Sequence, residues 1–492
     1  MEDLKGKTIR GGLARLCAQI ANFLIRFGSL LILARLLEPK EFGLVGMVTA
    51  FTGVLYILRD FGLSSAVVQR TSVTDEQKSM LFWINILIGI LLGIVTVAMA
   101  PAIAAFYHEP RLLGVTVVVA AGFIFNAAGV QHGALLLRQM RFTALAVINT
   151  VGLIVGTVIA IVGAKAGYGY WALVAMTVTL PVINTVGVWL TTRWVPGIPR
   201  RRSGVRAMLR FGGAMTLNGL IVYVASNFEK ILLGRFWGVD ALGIYGRAYQ
   251  LINIPTENLN SVAGEVAFSA LSRIKDDPLR LKRYFIKGYS LILALTLPMT
   301  IACALFADDT ILVLLGPKWM AAVPVFRFLA PTMLVFAIVN PLGWLMCSLG
   351  LVKRNLKMCL VIAPIMIASY TLGLPYGPKG VALSYSMVMV LWAIPAIVWA
   401  IHGTVFSVKD IWRAVSWPLI SSVTAAGVAF GVRLLYGRLL SPVSRLVLEN
   451  VVLLFMFVGI LLLRTEQKSL YLNLLRGLKN PSSANKESLV SV

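Results

Sequence analysis

Residues 13–37 read LARLCAQIANFLIRFGSLLILARLL, an apolar run long enough to cross a bilayer at about 20 residues per span. The run nevertheless carries Arg15, Arg26 and Arg35. An arginine at membrane depth costs ~2.5–3.5 kcal/mol even on the lenient insertion scale, so three in one span need a reason. Arg15, Gln19, Asn22 and Arg26 recur at helical spacing and share one face over roughly three turns. The stretch therefore reads as a membrane helix with a single polar stripe. Such a stripe suits the wall of a hydrated cavity that receives something anionic.

The rest of the chain agrees with a membrane setting. It has 492 residues, is 58% hydrophobic and 13% charged, and its mean hydropathy is +0.84. A soluble domain that apolar has nowhere to put its surface. The formal net charge of +25 raises the possibility of nucleic-acid binding, but in a polytopic membrane protein excess Lys and Arg mark cytoplasmic loops. Cys17, Cys303, Cys347 and Cys359 lie in or beside apolar runs without metal spacing, so they read as small core residues. The basic N-terminus is followed by a segment too long and too polar for a cleaved signal peptide, and the first span is expected to stay in the mature protein.

Apolar segments recur at 13–36, 43–61, 81–105, 112–134, 142–164 and 168–192. After a basic connector they continue at 212–234, 243–269, 285–306, 323–349, 352–372, 380–402, 414–436 and 446–463. The expected fold is thus an all-α polytopic membrane protein of about fourteen spans. Loops on the N-terminal side hold most of the cations, among them Arg138 and Arg141, Arg193 to Arg210, Arg273 to Lys287, Lys353 to Lys357, and Lys409 with Arg413. By the positive-inside rule both termini are cytoplasmic. A missing or extra span would scramble this alternation.

An internal repeat follows. Leu33–Leu44, LARLLEPKEFGL, aligns without a gap on Leu233–Ile244, LGRFWGVDALGI, so that Arg35 matches Arg235 and Gly43 matches Gly243. Both arginines read as parts of a tight glycine turn at the outer end of a span. The expected organisation is an N-lobe (1–192, helices 1–6), a basic cytoplasmic linker (193–210), a C-lobe (211–402, helices 7–12), two further helices (403–463) and a cytoplasmic tail (464–492). Repeats of this kind are common in secondary transporters, with the substrate site at their interface.

The same residues carry a family resemblance. LARLLEPKEFGLVGMV (33–48) and LRDFGLSSAVVQR (58–70) resemble the start of the bacterial polysaccharide transporter family, the Wzx-type flippases. LGIYGRAYQLINIP (242–255) and SRIKDDPLRLKRYF (272–285) resemble that family's second half. The superfamily also includes lipid II flippases and multidrug and toxin exporters. The resemblance implies two six-helix bundles around a cationic cavity, two extra C-terminal helices, and translocation of an undecaprenyl-pyrophosphate-linked oligosaccharide from the inner to the outer leaflet. Lipopolysaccharide, capsule and exopolysaccharide precursors all remain open as cargo.

The candidate site follows from that chemistry. A pyrophosphate-sugar head group cannot cross hydrocarbon unaided, and arginine matches phosphate oxygens through its planar fork. Arg15, Asn22 and Arg26 on the first helix, Arg59 on the second, and Asn227 and Lys230 on the seventh are the candidate substrate-binding residues. Each cation also has a bland explanation, snorkelling to an interface or pairing with a nearby carboxylate. Asp60, Glu229, Glu257 and Glu265 are the candidate ion-coupling carboxylates, for H+ or Na+, although a structural ion pair with Arg247 or a cytoplasmic arginine would account for Glu257 and Glu265 as well. Tyr56, Tyr223, Trp237 and Tyr245 are available to stack on sugars, as interfacial aromatics are in any membrane protein.

No catalytic constellation is visible. His108, His132 and His402 are far apart and lack a metal-ligand motif, and neither a Walker A sequence nor a Ser-His-Asp order is present. No cofactor, metal or nucleic-acid partner is expected. The competing readings are a cation-coupled multidrug exporter, whose site should favour carboxylates and aromatics, a membrane-embedded polymerase or ligase, and a non-catalytic component of a polysaccharide assembly complex.

Overall fold

The computed structural model describes residues 2–59, 67, 73–199, 206–436 and 439–463, without the side chains of 2–18, 206–219, 221, 222, 254–263, 265, 266 and 269. Arg15, Asp60, Glu257, Glu265 and the tail 464–492 therefore fall wholly or in their side chains outside the description.

Fourteen long helices make up the described chain. They are α1 Glu2–Leu36, α2 Pro39–Leu58, α3 Asp75–Tyr107, α4 Arg111–Arg138, α5 Phe142–Lys165 and α6 Tyr170–Thr192. One run, Arg206–Arg273, is broken at Gly238 into α7 (206–237) and α8 (239–273). Then come α9 Pro278–Leu305, α10 Val323–Ser348, α11 Val352–Gly373, α12 Gly377–Ile401, α13 Val408–Tyr436 and α14 Pro442–Leu463. A short helix, Ala307–Leu314, and a 3-10 turn, Pro317–Ala322, lie between α9 and α10. Each expected span overlies one of these helices, and no strand occurs among the described residues.

The repeat is visible in the backbone, and it corrects the reading of its glycines. Neither Gly43 nor Gly243 forms a turn; both are helical. The breaks fall five residues earlier, at the equivalent positions Glu38 and Gly238. Glu38 is extended (φ −93, ψ 158), Pro39 fixes the first turn of α2, and the Glu38 N–H donates to Glu41 Oε2 at 2.7 Å, as a capping box requires. Gly238 makes the same break with φ 79 and ψ −172, a conformation open to glycine alone. A two-residue connector and a single residue thus do one job.

The repeated glycines instead let two helices touch. A Cβ on Gly43 would overlap the carbonyl of Val239, and a Cβ on Gly243 would overlap the carbonyl of Pro39. Pro39 and Val239 are themselves repeat mates, so the contact is reciprocal, as at a two-fold interface. Gly89 does similar work inside the first half, where a Cβ would collide with Ala127 of α4.

The helices form two compact units. The first contains residues 1–254, 314–325 and 359–385, and the second 255–313, 326–358 and 386–492. Within the first, α3 packs on α4, α5 on α6, α4 on α6 and α1 on α5. The start of the linker is irregular and tied down: Trp83 Nε1 donates to Gly197 O at 2.8 Å, and Gly197 N to Ser79 Oγ at 2.9 Å. Trp319 is fully buried in the same unit and donates from Nε1 to Ala34 O at 2.7 Å, capping one of the carbonyls that the end of α1 leaves free.

The second unit is organised by a buried core and an ion cluster. Phe285, Tyr289, Leu293, Leu297, Leu342 and Leu345 pack together, and the Tyr289 hydroxyl donates to Ile338 O at 3.1 Å. The short helix presents Asp308 and Asp309. Asp309 is fully buried and bonded through both oxygens by Arg445 of α14, with Arg433 of α13 at 3.4 Å. Arg433 also lies 3.7 Å from the buried Glu449 and 3.7 Å from Asp308, which Arg327 pairs at 2.6 Å. These six side chains balance in charge and hold α13 and α14 beside the end of α9.

Removing one partner of such a cluster strands the others in a desolvated site. Arg445→Ala is expected to destabilise the protein by about 3–5 kcal/mol, read as a loss of thermal stability in detergent. The pair Asp309→Asn with Arg445→Met should recover part of that loss in a double-mutant cycle.

Candidate functional site

The candidate cations all lie in the first unit. Arg26 is exposed on α1, and a Cβ on Gly28, half a turn further, would meet nothing within 4 Å. Asn22, one turn before Arg26, accepts from Thr150 Oγ1 of α5 at 3.1 Å, so its amide oxygen is spent on packing. Arg59 at the end of α2 stacks 4.2 Å over the Tyr56 ring, whose hydroxyl accepts from Asn126 Nδ2 of α4 at 3.0 Å. Lys230 of α7 donates to Asn227 Oδ1 at 2.6 Å, and Asn227 Nδ2 donates to Tyr223 O at 2.9 Å. Among the described residues, Arg26, Arg59 and Lys230 have no carboxylate within ion-pair distance.

The three cations are spread along the helices and do not converge on one point. α2 and α7 run antiparallel from the Gly43–Val239 contact to a second crossing, where Tyr223 donates to Thr49 O at 3.1 Å and fills the space beside Gly53. At 1.5 Å per residue, Lys230 lies roughly 12 Å, Arg26 roughly 18 Å and Arg59 roughly 30 Å along its own helix from the breaks at 38 and 238. The three cations thus stand at different levels along their helices, like rungs of a ladder. The polar face of α2 that carries Arg59 is partly consumed by its own helix, since Thr49 Oγ1 donates to Gly46 O and Thr52 Oγ1 to Val48 O.

Glu229 stands beside Lys230 but faces a different environment. It is 1% exposed, and neither carboxyl oxygen has a hydrogen-bond partner among the described residues. Around it stand tyrosines from three helices. Tyr245 and Tyr249 of α8 stack at 6.2 Å, and Tyr370 of α11 lies 5.1 Å from Tyr385 of α12. Tyr385 is hydrogen-bonded to both Tyr249 and Tyr370. Tyr245, Tyr370 and Tyr385 are all near enough to feel the Glu229 charge. A buried carboxyl among phenols, with the charge of Lys230 nearby but no hydrogen-bond partner among the described residues, is chemically suited to take and release a proton or a small cation.

The candidate sugar-stacking residues fare unevenly. Tyr245 is buried and Tyr223 is engaged with α2, whereas Trp237 donates from Nε1 to Leu374 O at 2.8 Å and covers Gly377. Tyr56 keeps an exposed ring, under Arg59. No group of three or more potential metal ligands occurs among the described residues.

Residues 32–324 match the polysaccharide biosynthesis protein family. The chain belongs to that family. Among its curated relatives it is 24% identical over 396 residues to the lipopolysaccharide biosynthesis protein WzxC of Escherichia coli K12, covering 79% of this chain and 80% of that one. It is 29% identical to the teichuronic acid biosynthesis protein TuaB of Bacillus subtilis 168, over 60% of this chain and 61% of that one. It is 25% identical to the succinoglycan biosynthesis transport protein ExoT of Rhizobium meliloti 1021, over 64% and 63%. Among solved structures, the lipid II flippase MurJ in an inward closed conformation superposes with a TM-score of 0.72 at 12% identity, over 92% of this chain and 99% of that one. An inward-facing multidrug MATE transporter of the MOP superfamily superposes at 0.62 with 15% identity, over 82% and 98%. This member of the polysaccharide biosynthesis protein family is thus a multi-pass membrane protein with the fold shared by flippases and MATE exporters.

Three elements of the candidate site escaped sequence reading: the reciprocal glycine contact, the tyrosines near Glu229, and Gly53 as the seat of Tyr223. The last carried a faint signal, a glycine set between Thr49, Thr52 and Tyr56 on a polar helical face. Gly53→Ala is expected to displace Tyr223 and lower thermal stability in detergent by roughly 1–3 kcal/mol, and Tyr223→Ala in the same chain should restore most of it.

Proposed function

We propose that this protein moves an undecaprenyl-pyrophosphate-linked oligosaccharide across the bacterial inner membrane by alternating access. The N-lobe (1–192) and C-lobe (211–402) rock around the repeated helices, both termini are cytoplasmic, and the breaks at Glu38 and Gly238 lie at the outer end. The observation that carries the reading is the ladder of Arg26, Arg59 and Lys230, cations without a carboxylate at ion-pair distance among the described residues of α1, α2 and α7. A pyrophosphate supplies the missing negative charge, and its oxygens accept the charge-assisted bonds these groups offer. Membership of the family and the relatives' names, lipopolysaccharide biosynthesis protein and succinoglycan biosynthesis transport protein, support a glycan precursor as cargo and a transporter rather than a catalyst. The sugars ride in the hydrated path while the polyprenyl tail stays in lipid, because only the head group pays heavily for leaving water.

The transport cycle draws on Glu229. A buried, unpaired carboxyl that binds a proton or a sodium ion in one lobe arrangement and releases it in the other links ion flow to rocking. The multidrug-exporter reading is disfavoured because organic cations would meet Arg26, Arg59 and Lys230 along the same path. A scaffolding role among polysaccharide assembly proteins is compatible with transport and uses the basic cytoplasmic loops.

Arg26→Ala should leave expression and thermal stability near wild type, yet weaken recognition of the lipid-linked precursor roughly 10- to 100-fold. In a deletion strain the variant should fail to restore surface polysaccharide and should accumulate precursor on the cytoplasmic side, with Arg26→Lys restoring part of the export. Normal export by Arg26→Ala would refute the cationic path. For coupling, Glu229→Gln should abolish the dependence of transport on an imposed ion gradient in proteoliposomes while leaving precursor binding intact.

A further inference from the structure

The ends of α3 and α7 meet beside the reciprocal glycine contact. Gly234 of α7 lies so near Tyr107 of α3 that a Cβ would stand 2.6 Å from the ring, and Phe51 of α2 meets both Phe106 and Tyr107 edge-on at 5.8 Å. The next residue on each helix makes the polar contact. The Arg235 guanidinium lies 5.5 Å over Phe106 and is hydrogen-bonded to His108 Nδ1.

The direction of that bond is fixed by chemistry. Arginine carries only donors, so His108 must accept through an unprotonated Nδ1. His108 is the left-handed cap of α3, with φ 55 and its N–H turned back to Ala104 O and Ala105 O, which pins the imidazole beside α7. Protonation would remove the lone pair and set a second cation against the guanidinium. Imidazole is the side chain that ordinarily changes charge between pH 5 and 8.

We propose that His108 and Arg235 form a proton-sensitive latch on the outer gate. Neutral His108 holds α3 to α7 while Gly43 and Gly243 are in contact; a proton arriving from outside breaks the bond and favours separation of the two repeated breaks. The proposal rests on the orientation and alternating access argued above, and it adds a proton site distinct from Glu229. The sign follows from linkage: the closed gate requires the neutral ring, so acidification favours the open gate.

The surrounding charges leave His108 as the group that switches. On its own segment, Glu109 is held by Arg111 at 2.7 Å, and the bond from Arg111 keeps its carboxyl below the usual range. Across the α1–α2 break, Glu38 is paired with Lys40 at 2.6 Å and is lowered in the same way. Glu41 caps α2, and Asp240 interacts with both Arg111 and Lys40. Lys318 lies near Glu38, and the phenols Tyr107 and Tyr170 stand near the same end. Carboxylates ordinarily titrate near pH 4 and phenols and amines near pH 10, outside the window of interest.

The test is a distance measurement that needs no cargo. Spin labels at Tyr168→Cys and Tyr376→Cys, both exposed, are placed on a chain freed of its four native cysteines and embedded in nanodiscs. Between pH 7.5 and pH 5.5 the ratio of open to closed populations should rise roughly tenfold, from the loss of one hydrogen bond and the gain of one like-charge contact. His108→Gln, which still accepts from Arg235 but cannot charge, should hold the closed distance at both pH values. Arg235→Gln, which removes the repelling cation, should flatten the response from the other side. A wild-type distance that does not change with pH, or a full response in His108→Gln, would overturn the latch. Arg26→Ala should keep the pH response while losing transport, so failure of the latch and failure of the cargo assignment give different results.

Discussion

The contact between Gly43 and Val239, mirrored by Gly243 and Pro39, is the constraint from which the first unit is built. Two helix starts approach until backbone meets backbone, and any side chain at either glycine would push them apart. The approach is possible because the helix breaks stand at equivalent positions, 38 and 238, so each copy delivers its glycine to the other's first turn. Phe42 lies next to Gly43 and receives both the Trp319 edge, at 5.5 Å, and the Arg247 guanidinium, at 4.1 Å. Aromatic and cationic groups from later in the chain thus gather on the crossing once the glycines allow it. A contact between copies of a repeat is also one that can be broken and remade without unfolding either copy, since each helix keeps its internal hydrogen bonds.

The two units differ in how they treat the charges along their spans. In the second, Arg327, Arg433 and Arg445 are balanced by Asp308, Asp309 and Glu449, and the cluster serves as a clamp. In the first, Arg26, Arg59 and Lys230 have no carboxylate at ion-pair distance among the described residues, while Glu229, one residue from Lys230, is buried with no hydrogen-bond partner among them. Unbalanced charges inside a membrane protein are expensive. Their separation along neighbouring helices makes sense where the compensating charge is mobile, an anion for the cations and a cation or proton for the carboxyl.

The helices were legible because apolar run length and charge alternation report directly on what the membrane demands: every expected span overlies a helix. The candidate cations were legible for the same reason, since a charge in an apolar run stands out. The glycines were misread because a glycine beside a proline and a charged cluster carries the signature of a turn, whereas the actual need, room for a second backbone, comes from a partner 200 positions away. Tyr245, Tyr370 and Tyr385 belong to three helices, and nothing local in any of them distinguishes a tyrosine near Glu229 from one at a membrane interface. The clamp around Asp309 was hidden likewise, its members spanning residues 308 to 449.

A ladder of cations and a closable end solve different parts of one physical problem. Fixed positive charge lowers the cost of bringing a diphosphate into the membrane, but charge concentrated at one point would trap it there. In the cargo path we propose, spacing Lys230, Arg26 and Arg59 over roughly 18 Å of helix length spreads the attraction, so that a flexible anion exchanges one cation for the next without a deep minimum. Continuous hydration along such a path would leak ions, and in the cycle we propose the reciprocal glycine contact is what shuts it, where the helices cross most closely. The fold therefore needs its tightest contact at the end of the ladder, and that is where the repeated glycines lie.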